Sequence, residues 1–195
     1  MARFVPPLRA TSPRSNAERR VLEWLQLLDD AWLVLHSFGI LNHPFKAWAE
    51  IDVLVIGPTG LMCLEVKGGR ILRRSGLWGF QDRQGNVNWK PEGPFDQVGQ
   101  AHAALRSELI ESGHLATDTV SGYGVLFPDV AIEDDGPGVI EQVMLDASGD
   151  WSNPTRLVKN WCSYWADRTG KHSGLDEEQV EILIAALQPE IDLAP

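Results

Sequence analysis

Apolar residues recur along this chain with two different periods, and the changes of period mark its elements. Ala17, Val21, Leu22, Leu25 and Leu28 are spaced three and four apart, which lines one face of an α-helix running to about Asp29. Ser15 stands as its N-cap and Glu18 three residues on, the spacing of a capping box. From Ala31 the pattern becomes an apolar β-type run, AWLVLHSF (31–38), and a loop over 39–48 carries Asn42, His43 and Pro44. The runs IDVLVIG and LMCLEVKGG, joined by Pro58, Thr59 and Gly60, predict a hairpin over 50–67. Short strands follow at 70–73, 77–81 and 87–89, with turn signals at Ser75-Gly76 and over 82–86.

Prolines at 91 and 94 break the sheet pattern, and a second helix begins at Phe95. Val98, Ala101, Leu105 and Leu109 share its face, and Gly113 stops it. VSGYGVLFP (120–128) reads as a central strand, 133–138 as an acidic loop and VIEQVML (139–145) as one more strand. Two helices close the chain, roughly 154–169 and 176–187, the second with Asp176, Glu177 and Glu178 in its first turn. This order predicts an α/β fold, a sandwich of helices around a mixed sheet.

A chain of 195 residues is long enough for one domain with a full core. No apolar run reaches the length of a membrane span, and residues 1–15 lack a signal-peptide core. Cys63 and Cys162 lie in apolar surroundings and read as buried free thiols, so a cytoplasmic location without a membrane partner is expected.

Charge changes the picture by its distribution. Residues 1–128 hold 13 basic and 13 acidic residues, and residues 129–195 hold 4 basic and 14 acidic, so the whole net charge of −10 sits in the final third. Arg3, Arg9, Arg14, Arg19 and Arg20 form one basic cluster, and Lys67, Arg70, Arg73 and Arg74 another. The second cluster, with Arg70, Arg73 and Arg74 as candidate substrate-binding residues, suits a polyanion. The acidic closing helices would repel nucleic acid and read as cover for the sheet or a face for a protein partner.

The chemistry concentrates in the hairpin. Glu65 and Lys67 project to one face of their strand while Val66 points the other way, and Asp52 on the paired strand can reach that face. Buried charges persist only when paired or bound to metal. Asp52 and Glu65, with a backbone carbonyl and waters, make an oxygen-rich set of the kind Mg²⁺ or Mn²⁺ prefers. Lys67 would orient or activate an attacking water and neutralise a phosphoryl transition state. Gly68 and Gly69 would let the backbone turn and a phosphate chain approach. A cross-strand Asp–Lys or Glu–Lys pair near a sheet end is the plain structural alternative.

Context adds to this pattern. Glu18 in SNAERRVLEWL, Asp52 in EIDVLVIGPTGL, the Glu65-Val66-Lys67-Gly-Gly strand end and Gln97 in PFDQVGQAHAALRSEL resemble, in order and spacing, the NERD (nuclease-related) domain. That family is a branch of the PD-(D/E)xK nuclease-like fold, and the resemblance covers roughly residues 15–127. It implies a restriction-endonuclease-like α/β sandwich with a central mixed β-sheet, after an irregular lead-in over 1–14. Residues 128–195 would be an acidic strand-and-helix extension on the same domain.

By the same resemblance Asp52 and Glu65 match metal ligands, Lys67 the catalytic lysine and Glu18 the acid of the first helix. Gln97 matches the glutamine of the helix after the sheet. Gln100, one turn along, competes for that last role, and the capping box competes for Glu18. The expected activity is a Mg²⁺-dependent deoxyribonuclease in DNA processing or defence against foreign DNA, with RNA a second possible substrate. The alternative is a non-cleaving module that positions a helicase or another protein partner, and a homodimer is compatible with either. The lead-in resembles NERD domains that precede helicases, although no GxxxxGK[ST] phosphate loop occurs in these 195 residues.

The remaining side chains read as structural. His36, His43, His102, His114 and His172 show no metal-ligand spacing, and His36 and His102 are expected as satisfied structural histidines. Trp24, Trp32, Trp161 and Trp165 fall in core patterns. Trp48, Trp78 and Trp89 flank the hairpin and the basic strand, where packing is expected and base stacking is the alternative. Ser107, Ser121 and Ser163 lack the context of a nucleophilic triad.

Overall fold

The computed structural model describes residues 1–5, 13–40, 49–82, 84–133, 136 and 138–187. In chain order these form β1 (Arg3–Val5), α1 (Asn16–Leu25), β2 (Leu33–Ile40), β3 (Ala49–Gly57), β4 (Gly60–Val66), β5 (Arg70–Arg74), β6 (Leu77–Gln81) and β7 (Val87–Lys90). Then come α2 (Pro94–Glu111), β8 (Ser121–Phe127), β9 (Met144–Asp146), α3 (Pro154–Thr169) and α4 (Glu177–Leu187). Six strands make a central sheet in the order β1-β2-β3-β4-β8-β9, and β5-β6-β7 make a small antiparallel sheet. The central sheet is mixed: β2–β3 and β3–β4 run antiparallel, while β1–β2, β4–β8 and β8–β9 run parallel. This is the α/β sandwich read from the sequence, compatible with a restriction-endonuclease-like fold.

β4 is buried at every position, as its almost unbroken apolar run requires of a strand covered on both faces. Phe95 of α2 packs on Phe127, ring centroids 6.5 Å apart, so α2 covers the face that Phe127 and Val125 share. The other face belongs to α3. A Cβ added at Gly122 would lie 2.1 Å from the Trp165 ring, and one at Gly124 would lie 2.4 Å from Trp161. Two glycines in β8 thus make the hollows that receive two core tryptophans. The β3–β4 turn is pinned to the C-terminal segment by a Leu175 N–H donated to the Pro58 carbonyl at 3.3 Å.

Several elements depart from the expectation. α1 stops at Leu25, short of Asp29, and Leu28 completes the apolar face from a turn while staying buried. The lead-in contains β1, three residues paired in parallel with β2 and too short to show a period. Within the expected strand 139–145, residues Glu141–Val143 form a 3-10 turn, and pairing starts only at Met144. The loop expected over 39–48 loses its first two residues to β2, which runs to Ile40, while β3 starts at Ala49, directly after the loop's expected end. Its His43 and Trp48 lie outside the described residues, as does Arg9 of the first basic cluster.

The fit between β8 and α3 gives a direct check. Gly124→Ala forces a methyl against Trp161 and should lower stability by about 1–3 kcal/mol in urea denaturation, the usual range for an overpacked core. An unchanged midpoint would mean that Trp161 does not occupy that hollow.

Candidate active site

The paired register of β3 and β4 runs from Gly57↔Gly60 to Val53↔Leu64, and one further step sets Asp52 opposite Glu65. The ladder changes character at this step. The Val66 N–H donates to Asp52 Oδ2 at 2.8 Å, so a side chain takes up a backbone donor at the strand end. Glu65 remains in register with Val125 of β8 and is only 7% exposed. The Lys67 N–H reaches the Leu126 carbonyl at 2.9 Å, which fixes the chain beyond β4, and the Lys67 ammonium folds back onto Glu65 Oε1 as an ion pair. Its other neighbour is the Phe80 ring of β6, 5.8 Å from Nζ to centroid.

Helix α1 brings Glu18 to the same end. The Ser15 Oγ accepts from the Glu18 N–H at 3.1 Å and caps the helix as expected. The Glu18 carboxylate accepts from Ser15 Oγ at 3.1 Å and from the Arg14 N–H at 2.9 Å. Glu18 is therefore engaged in its own helix start, yet its charge acts on Asp52, Lys67 and His36.

Gly68 sets how closely α1 can approach the strand end. A Cβ there would lie 2.5 Å from the Ala17 Cβ and 3.0 Å from Asp129 Oδ2. Gly69, with φ at +78°, then makes the turn, and its N–H donates to Asp129 Oδ2 at 2.7 Å. The other oxygen of Asp129 pairs with Arg20 of α1. Asp129 was not among the residues singled out from the sequence, since it follows β8 and meets its partners only in the fold.

Two more groups, Glu50 and His36, stand near this end of the sheet without a local signal to place them there. Glu50, two residues before Asp52 on β3, pairs with the Arg14 guanidinium. His36 of β2 has a buried Nε2 with no hydrogen-bond partner among the described residues, contrary to the satisfied histidine expected there. Burial holds its pKa below the ordinary range, against the pull of Glu18. His102 does meet the expectation, with Nε2 at 3.0 Å from Ser121 Oγ and its pKa pushed down to about 4 by burial and by the charges of Arg106 and Lys171.

Asp52 carries the strongest electrostatic signature at this end of the sheet. Burial first, then the Glu65 charge, push its pKa up to about 7, against the Val66 hydrogen bond and Lys67. For Lys67, burial alone would lower the pKa, but the Glu65, Asp52 and Glu18 charges and the Glu65 hydrogen bond outweigh it and raise the value. Lys67 is therefore a stable ammonium at neutral pH.

Gln97 is half-buried on α2, on the sheet face of Asp52 and Glu65, and its side chain makes no hydrogen bond among the described residues. Gln100 leaves the helix differently, lining a surface cleft with Tyr123, Gly138 and Ile140. The three arginines separate. Arg70 and Arg74 are exposed, whereas the Arg73 guanidinium lies over the buried Trp78 ring at 4.2 Å.

Among the described residues no three histidine, cysteine, aspartate or glutamate side chains stand close enough to cage a metal ion. What fits a hard divalent cation is the donor chemistry of Asp52 and Glu65, two adjacent carboxylates, the pKa of Asp52 raised first by burial and then by the Glu65 charge. A cation between them would remove that repulsion.

Fold and site together define an α/β protein with two carboxylates and a lysine at the open end of a central hairpin. The family model of the nuclease-related domain, NERD, matches residues 13–128, more than half of the chain. The chain belongs to the nuclease-related domain family. No curated protein and no solved structure matches it. No helix among the described residues is long and apolar enough to cross a membrane.

The raised Asp52 pKa fixes the sign of a pH effect. Between its ordinary value of 3.8 and about 7, the folded chain holds a proton that the unfolded chain has lost. Stability from this group is therefore present at low pH and lost as pH rises through that window. With divalent cations chelated, Asp52→Asn should remove this slope and stabilise the protein at pH 8 by up to about 4 kcal/mol, at roughly 1.4 kcal/mol per pH unit. Thermal unfolding of both proteins from pH 4 to 8 measures it; parallel curves would place Asp52 in water.

Proposed function

We propose that this chain is a metal-dependent phosphodiesterase that cleaves DNA, with Asp52 and Glu65 holding Mg²⁺ or Mn²⁺. The observation that carries the reading is the opposition of these two carboxylates across β3 and β4 with Lys67 ion-paired beside them. A plain surface pair would not leave one carboxylate half protonated near pH 7, as burial and Glu65 do to Asp52. A bound divalent cation would polarise a phosphoryl oxygen and acidify a coordinated water.

The chain's own groups have distinct tasks. Lys67 keeps its proton at neutral pH, so it acts as a fixed positive donor towards the phosphate and not as the base. Asp52 is fixed by the Val66 N–H through one oxygen, which leaves the other oriented for the reaction. Glu65 is nearly closed off from solvent, so its charge is weakly screened and holds both neighbours. Glu18 tunes the field from the start of α1. Gln97, on the same sheet face and with no side-chain hydrogen bond among the described residues, would donate to a phosphate oxygen or a bound water.

The runner-up is a non-cleaving nucleic-acid or protein-binding module that positions a helicase or another partner. It draws support from the engagement of Glu65 with Lys67 and of Glu18 in its helix cap, which gives these charges a structural use.

Cleavage of linear and circular, single- and double-stranded DNA with millimolar Mg²⁺ or Mn²⁺ separates the two. Asp52→Ala, Glu65→Ala and Lys67→Ala should each lower the rate by at least about 10²-fold, as losing a preorganised electrostatic contact does, and chelation should abolish it. The same cations should raise the melting temperature of the native chain, by the mass-action stabilisation of a bound ligand, and not that of Asp52→Ala. Equal cleavage by native and substituted proteins would sink the assignment.

A further inference from the structure

The small sheet β5-β6-β7 has two faces of different character. Its register pairs Arg73 with Trp78 and Ile71 with Phe80, and these side chains turn inward. Trp78 is buried and stacks on Phe127 at 6.2 Å, Arg73 covers Trp78, and Phe80 meets Lys67. By the alternation of strands, Arg70, Leu72, Arg74, Leu77, Val87 and Trp89 occupy the opposite face.

That outer face is open. Trp89 and Leu77 are each 38% exposed and share this face, and Arg70 and Arg74 are exposed at the two ends of β5. Trp89 lies over Gly79, where a Cβ would come within 2.8 Å of its ring, so the indole rests on the sheet instead of sinking into a core. Among the described residues no acidic position of β5, β6 or β7 stands on this face, and neither Arg70 nor Arg74 has a carboxylate partner. The face begins three residues after Lys67, across Gly68 and Gly69.

We propose that the outer face of this three-stranded sheet binds single-stranded nucleic acid, Trp89 stacking on an unpaired base while Arg70 and Arg74 contact flanking phosphates. The chemistry decides between strands and duplexes. A ring can stack only on a base whose face is free, whereas a duplex offers that face only at its ends. An apolar patch between two unpaired cations also fits a chain that is alternately base and phosphate better than a protein surface of one character. This inference rests on the nuclease reading for its biological setting, since it makes an unpaired strand the segment delivered to Lys67.

Binding is measured apart from cleavage, in the full chain carrying Lys67→Ala, by fluorescence anisotropy with a labelled oligothymidylate of about 20 nucleotides and a duplex of equal length. Trp89→Leu keeps apolar area but cannot stack; it should weaken single-strand binding roughly tenfold or more and leave duplex binding unchanged, while Trp89→Phe restores most of the loss. Arg70→Gln with Arg74→Gln should reduce the slope of log affinity against log salt by about 1.4, two phosphates at roughly 0.7 each.

Equal single-strand binding by Trp89→Leu overturns the proposal, as does an equal loss for duplex and single strand. A dimer in sedimentation that dissociates in Trp89→Leu also overturns it and assigns the face to a second copy. The two readings fail separately. Trp89-dependent binding without cleavage by the native chain supports the surface and removes the nuclease, and cleavage that ignores Trp89 does the reverse.

Discussion

Two carboxylates at the open end of an apolar hairpin are the constraint around which this end of the molecule is arranged. Asp52 and Glu65 oppose one another on strands whose neighbouring positions are almost wholly buried. Water is scarce there, so each charge needs a protein partner. Lys67 answers Glu65, and the Val66 N–H answers Asp52. The match is incomplete, which is why Asp52 stays half protonated near neutrality while Lys67 is driven firmly into its charged form. Removing one member of such a set costs more than the interaction itself is worth, because the partner is left buried and uncompensated.

The neighbouring backbone follows from the same need. For α1 to bring Glu18 near this cluster, its first turn must touch the chain just after Lys67. Gly68 permits this by having no Cβ to meet Ala17. Asp129 then ties the Gly69 N–H to Arg20, joining the end of β8, the Lys67 turn and α1 in one contact set. The two glycines therefore do more than turn the backbone. They set the distance between a helix and a strand end.

The parts legible in the sequence are those encoded over short distances. The hairpin shows in two apolar runs and a turn; alternation puts Glu65 and Lys67 on one face, and the register set by the short turn brings Asp52 to it. The cap at Ser15 shows in a spacing of three. What escaped is carried by pairs far apart in sequence: Arg14 with Glu50, Asp129 with Arg20 and Gly69, and His36 with Glu18. No period records them. The RILRR strand was ambiguous for a related reason, because it places arginines at both parities. Only pairing with Trp78 shows that Arg73 faces inward while Arg70 and Arg74 do not. β1 is too short to show any period, and the apolar stripe of α1 outlasts the helix because Leu28 is buried without being helical.

The acidic helix α4 would seem to work against a polyanion at this site, and the topology sets it apart, while Asp129 at the site itself is paired with Arg20. Leu175 bonds to Pro58 at the turn end of the hairpin, and α4 begins immediately after it, with Glu181 paired to Arg3 on the edge strand β1. Asp52 and Glu65 lie at the opposite end of the same two strands, six or seven residues from Pro58. At about 3.3 Å per residue this separates the start of α4 from the site by roughly 20 Å. The Debye length at physiological salt is about 8 Å, so those carboxylates are largely screened from anything at the site. The exposed Arg70 and Arg74 are, by contrast, only three and seven residues from Lys67. The hairpin's open end is therefore flanked by the arginines of the small sheet and lies far from the acidic helix. The net charge of −10, summed over the whole chain, is spread unevenly, with α4 distant from the hairpin's open end and Arg70 and Arg74 close to it.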